Sequence, residues 1–188
     1  MKYFYMLFLA ATITVSTVEA KETHRKIVQK HVKLHEELTL SQKQILTSAF
    51  NTAKKEGNYN PLILPGIIFV ESTAKGGPKV RSTKHKPVYD KSVGLAQIIA
   101  GTAESVIKDH PELKRHMKSK NLAHELAYND TFNIMVANSY LSDLSQFTHS
   151  DAQLIAAYNT GHIVKKPERM GYVKKVQKSV SRIRKELT

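Results

Sequence analysis

Glu71 closes an apolar run, Pro61-Leu62-Ile63-Leu64-Pro65-Gly66-Ile67-Ile68-Phe69-Val70, and is followed by Ser72 and Thr73. The run is too apolar for a solvated helix, so its terminal carboxyl is expected to be partly withdrawn from water. Desolvation favours the protonated form of a carboxyl, which is the form a general acid needs. The competing reading is a helix-end glutamate that reaches water or an arginine, as charged side chains usually do. Two further stretches carry groups able to work beside an acid. Ser92-Val93-Gly94-Leu95-Ala96-Gln97-Ile98 offers in Gln97 an amide with donors and an acceptor, and in Gly94 a residue past which a ligand can approach the backbone. Ala157-Tyr158-Asn159-Thr160-Gly161 offers a phenol able to hydrogen-bond a carboxyl, although Asn159 and Gly161 also suit a helix end.

Helices must position these groups. Asn60 can cap the Glu71 helix, with Pro61 in its first turn and Pro65 and Gly66 weakening or bending its start. Ser41 and Gln44 form a capping-box signature for a preceding helix to about Lys55, with Ile45, Ala49 and Ala53 inward and Gly57 as its stop. Thr73 to Lys91, with Gly76-Gly77-Pro78, Pro87 and many basic residues, reads as a long basic loop or small hairpin between Glu71 and Gln97. Thr102 is the expected cap of a helix ending at His110, before Pro111. A helix from about Asp130 to Gln146 turns Ile134, Ala137, Leu141 and Leu144 to one side. Ser150 and Gln153 box the start of the next helix, and Gly161 ends it. Val173, Val176, Val180, Ile183 and Leu187 stripe a last helix that packs on the domain. The fold class expected is mainly α.

The chain has 188 residues and a net charge of +13. Met1 to Ala20 reads as a secretory signal; its apolar stretch is shorter than the ~18 residues of a membrane-spanning helix. Residues 21–40 then form a basic leader and residues 41–188 one domain. Cysteine is absent, which excludes thiol chemistry and Cys-ligated zinc. His31 and His35 lie one turn apart without an evident third ligand. His124-Glu125-Leu126-Ala127-Tyr128 has tyrosine where a zinc-protease helix requires its second histidine. No metal and no cofactor are therefore expected. The positive charge favours a polyanionic partner, and export points to anionic lipid or wall polymer rather than nucleic acid.

Taken together and in order, Glu71-Ser72, Gly94-Leu95-Ala96-Gln97-Ile98 and Ala157-Tyr158-Asn159-Thr160-Gly161 resemble the motifs of the lytic transglycosylases, in the lysozyme-like superfamily. That family has Glu-Ser at the end of a buried helix, then Gly-Leu-Met-Gln-Ile, then Ala-Tyr-Asn-x-Gly. The similarity extends to Ile98-Ile99-Ala100-Gly101-Thr102-Ala103, to Asn133-Ile134 with Tyr140-Leu141, and to Glu168 with Tyr172-Val173. It covers about Ile45 to Val180. Ala96, Ala100 and Arg169 depart from the family's Met, Pro and Thr; the loss of Met removes a flexible apolar wall. The long loop is similar to forms associated with secretion and conjugation machinery.

The resemblance implies a lysozyme-like catalytic domain that cleaves peptidoglycan between N-acetylmuramic acid and N-acetylglucosamine. It implies that Glu71 acts first as acid and then as base, leaving 1,6-anhydro ends without consuming water. Side-chain capability adds supporting roles: Gln97 for an acetamido or hydroxyl group, Gly94 for close approach of a sugar, and Tyr158 to hydrogen-bond Glu71. Ser72 is expected near the carboxylate, Asn159 at the turn or on sugar, and Tyr172 in the groove or the core. Ser92 and Leu95 complete the Gln97 stretch. An exported protein of the periplasm or cell envelope follows, its partners being glycan strands and a secretion, conjugation or phage apparatus. The rival readings are a hydrolytic lysozyme with Asp90 activating water, a non-catalytic basic wall-binding protein, and a nucleic-acid binder. For the last, neither aromatic stacking groups nor a recognition helix is evident.

Overall fold

A computed structural model describes residues 37–76 and 91–187. The expected signal, the leader with His31 and His35, and the greater part of the basic loop with Asp90 lie outside the described residues. Residues up to Leu38 form one unit, of which only Glu37 and Leu38 are described; a second begins at Thr39. This second unit holds seven α-helices, two 3-10 turns and one two-stranded hairpin among its described residues.

Helix α1 spans Leu40–Glu56. Its capping box is Thr39 with Gln42, not Ser41 with Gln44. The same spacing occurs twice in the sequence, and the extended backbone at Thr39 selects the first. Leu46, Ala49 and Ala53 face inward, while Ile45 is half-buried. Asn60 accepts a hydrogen bond from the Leu62 amide, turning the chain into α2, Ile63–Ser72. Pro65 falls in the first turn, where its missing N–H deprives the helix of nothing. A Cβ on Gly66 would stand 2.6 Å from Val180, so this glycine lets α2 and α7 come close. α2 is the hydrophobic centre: Ile63, Leu64, Ile67 and Ile68 are buried, and its main neighbour is α7, Gly171–Leu187. That helix buries Val173, Val176 and Ile183 of the expected stripe, leaves Val180 and Leu187 half-buried, and keeps its lysines in solvent.

The hairpin lies around Gln97. Strand β1, Ser92–Val93, pairs antiparallel with β2, Ile98–Ile99, in the register Ser92 to Ile99. α3, Ala100–Asp109, grows directly out of β2, so Thr102 lies inside its first turn instead of capping it. A 3-10 turn, Pro111–His116, leads to α4, Leu122–Tyr128, capped by Asn121. α5, Asp130–Ser145, runs through the middle, capped by Asn129 and touching α1, α3, α4 and α6. α6, Asp151–Thr160, starts at the Ser150 cap and ends at Gly161 (φ 74°), where the left-handed turn favours glycine. A second 3-10 turn, Pro167–Arg169, precedes α7. No helix of the described residues is long and apolar enough to cross a membrane.

Candidate active site

Four stretches that are distant in sequence enclose a cleft of about 280 Å³: the end of α2, the hairpin with the first turn of α3, α5 and the end of α6. Glu71 enters it from the last turn of α2, half-buried. Among the described residues, no hydrogen bond or ion pair reaches its carboxylate, and it is the only acidic side chain lining the cleft. The backbone turns sharply just beyond it: Thr73 and Ala74 both adopt left-handed conformations, at φ 56° and 51°. The Gln42 side chain donates to the Thr73 carbonyl at 2.7 Å and braces that turn. Gln97, at φ 51°, is the third such non-glycine residue. Backbone strain of this kind persists only where the surroundings over-determine it, and here it flanks the cleft.

Asn133 on α5 organises the hairpin from beneath. It is fully buried, and its amide nitrogen donates to the carbonyls of Val93 (3.1 Å) and Leu126 (3.0 Å). Its oxygen accepts from the Ala96 amide at 2.8 Å. Gln97 closes the loop from above, its nitrogen donating to the Gly94 carbonyl at 2.8 Å and its oxygen accepting from the Ser92 hydroxyl at 3.1 Å. Tyr158 ties α6 to the same loop by donating its hydroxyl to the Ala96 carbonyl at 2.8 Å. Its ring meets Tyr140 with centroids 5.4 Å apart. Burial raises the Tyr158 phenol well above its ordinary pKa, and the charges of Glu71, Tyr140 and Tyr59 add to that. The hydroxyl therefore stays protonated, within the electrostatic reach of Glu71.

Residues 48–180 match the transglycosylase SLT domain family. The chain belongs to that family. Among curated proteins none matches the chain by sequence. The SLT domain thus runs from within α1 to within α7, close to the limits of the motif similarity. It is a mainly helical, lysozyme-like transglycosylase domain whose substrate is peptidoglycan.

Within this SLT domain the cleft brings together Glu71, Ser92, Gln97, Tyr158 and Asn159 of the expected site residues. Four others lie elsewhere. Gly94 is buried, and a Cβ there would come within 2.2 Å of the Leu126 carbonyl and 2.3 Å of the Asn133 side chain. Its glycine, at φ 77°, is required by packing and turn geometry rather than by approach of a sugar. Leu95 is a core residue with no exposed surface. Ser72 is buried and donates back to the Ile68 carbonyl at 3.0 Å in its own helix. Tyr172 is half-buried with its hydroxyl oxygen shut away, and it does not line the cleft. The expected bond between Tyr158 and Glu71 is also absent as a donation, because the one phenolic hydrogen goes to Ala96. Conversely, Tyr140, Thr102 and Ile99 line the cleft and were not singled out for it. Asn133 and Tyr140 are seven residues apart, two turns along one face of α5. That spacing is the signal by which both could have been found.

Proposed function

We propose that this protein is a lytic transglycosylase that cleaves the MurNAc-β-1,4-GlcNAc bond of peptidoglycan with one glutamate, Glu71, as acid and base. The observation that carries this reading is a half-buried carboxylate with no hydrogen-bond or ion-pair partner among the described residues, where it is also the only acidic side chain lining a polar cleft. In the first step Glu71 protonates the glycosidic oxygen as the C1–O bond breaks. The oxocarbenium-like centre is stabilised by the sugar's own N-acetyl group, in place of a second carboxylate. In the second step the Glu71 carboxylate removes the 6-hydroxyl proton as O6 bonds to C1. The proton lost in the first step is regained, and no water enters the product.

Tyr158 holds the hairpin loop through Ala96 and remains a neutral phenol beside Glu71. Gln97 and Ser92 keep the loop in its strained shape and face the sugar, with Asn159 at the exposed lip. The net charge of +13 supports attraction to an anionic wall, and the N-terminal sequence supports export to the cell envelope. A role beside a secretion, conjugation or phage apparatus accords with the long basic loop.

Mass spectrometry of fragments released from purified sacculi tests the reading. Anhydro-ended fragments are expected. Fragments with reducing ends would instead assign a hydrolase, and intact sacculi a wall-binding protein.

A further inference from the structure

A second concavity, of about 650 Å³, lies between α3, the Pro111–His116 turn and the chain leading into α4. It is separate from the cleft. Thr102 of α3 faces the cleft, whereas Ile107 and Lys108, about 140° and 240° further round that helix, face this groove. The floor is apolar: Ile107 is buried, and Met117 and Leu122 are half-buried. The rim carries four exposed lysines, Lys108, Lys114, Lys118 and Lys120, against one carboxylate, Glu104. Among the described residues, Lys108, Lys114 and Lys120 make no ion pair.

We infer that this groove is a docking site for an acidic segment of a partner protein that also carries apolar side chains. Like charges gathered on one rim repel, and a negatively charged ligand relieves that repulsion. A phosphodiester polymer would satisfy the lysines and leave the apolar floor unused. A membrane surface cannot follow a concave wall. An acidic peptide with interspersed leucines meets both features, with carboxylates at the rim and side chains on Ile107, Met117 and Leu122. The wall is also held in place beforehand. Glu125, buried below it, accepts from the Ser119 amide at 2.8 Å and so fixes the chain between Lys118 and Lys120. A preformed wall lowers the ordering cost of binding.

The test is fluorescence anisotropy of the full chain with a fluorescein-labelled peptide of alternating glutamate and leucine. K108E/K114E/K120E is expected to weaken binding by about tenfold or more. K174E/K175E/K178E, the same charge change on the solvent face of α7, should change it by less than about twofold. Sacculus cleavage by the groove variant should match that of the α7 variant, which carries the same change in net charge. Equal losses in the two variants would overturn the site, as would equally tight binding of an all-glutamate peptide or of polyphosphate, or absence of saturable binding. Hydrogen exchange on the wild-type chain gives a second reading independent of variant folding. Added peptide should protect residues 104–122, and protection confined elsewhere would overturn the inference.

Discussion

Glu71 and Glu125 are both carboxylates on helices packed into the apolar interior, and the protein treats them oppositely. Glu125 is only 2% exposed and accepts hydrogen bonds from the Ser119 amide and the Asn129 side chain. Burial alone would raise its pKa. Donation from the backbone of Lys118 and Ser119 and from Asn129, with the charge of Lys118, outweighs that and holds it below the usual carboxylate range. Glu71 is less buried, and no donor among the described residues reaches it. A sealed carboxylate supplied with donors is fixed in its charged form and serves the fold. One left open on a cleft wall can exchange a proton with a substrate. Depth of burial alone therefore does not mark an acid open to substrate: the more deeply buried of the two glutamates is the one tied into the fold.

The comparison is most directly broken at Glu71. Glu71→Gln should reduce the release of anhydro fragments by roughly 10²–10⁴-fold with an unchanged thermal transition; wild-type turnover would remove Glu71 from the chemistry. Next in size is the support beneath the hairpin. Asn133→Ala leaves the Val93 and Leu126 carbonyls and the Ala96 amide without their buried partner. A loss of about 3 kcal/mol in urea unfolding is expected, together with a fall in kcat of about tenfold or more as the Gln97 loop shifts.

Glu125→Ala should do the reverse of Glu71→Gln. It should destabilise the fold by about 1–3 kcal/mol, while the kcat of the folded fraction remains near wild type. A decades-deep loss of kcat in fully folded Glu125→Ala would erase the distinction between the two acids. The smallest effects are in pH. Because the native Glu125 pKa is lowered, its stabilisation is present above the ordinary value of 4.5 and lost as pH falls through the native value. His110 behaves in the opposite sense. Its hydrogen bond to Asp143, 2.9 Å away, raises its pKa against the opposing effect of burial, and the charges of Asp143 and Glu112 assist. That stabilisation is full below the ordinary value of 6.5 and fades as pH rises through the native value. Chemical unfolding across pH should show both limbs, with Asp143→Asn flattening the upper one and Glu125→Gln the lower.

Local chemistry made several elements legible. The Ser150 cap and the Gly161 stop delimit α6 as read, and the apolar stripe locates α5 to within a residue of its end. Thr102 misled because a helix continuing straight from a strand needs no side-chain cap, and nothing near Thr102 announces the strand. Gly94 misled for a different reason: the atoms that exclude a side chain there belong to Leu126 and Asn133, more than thirty residues away.

Residue identity and order by themselves determined the helical class and the three motifs that mark the family, since caps, periodicity and side-chain chemistry act over a turn or two. Only the tertiary structure decided that Tyr158 binds Ala96, that Leu95 is core, that Asn133 holds the hairpin, and that the sealed carboxylate is Glu125. Each of those outcomes depends on which distant groups share a hydrogen bond or exclude one another's atoms. That is a property of packing in three dimensions, and a linear pattern does not carry it.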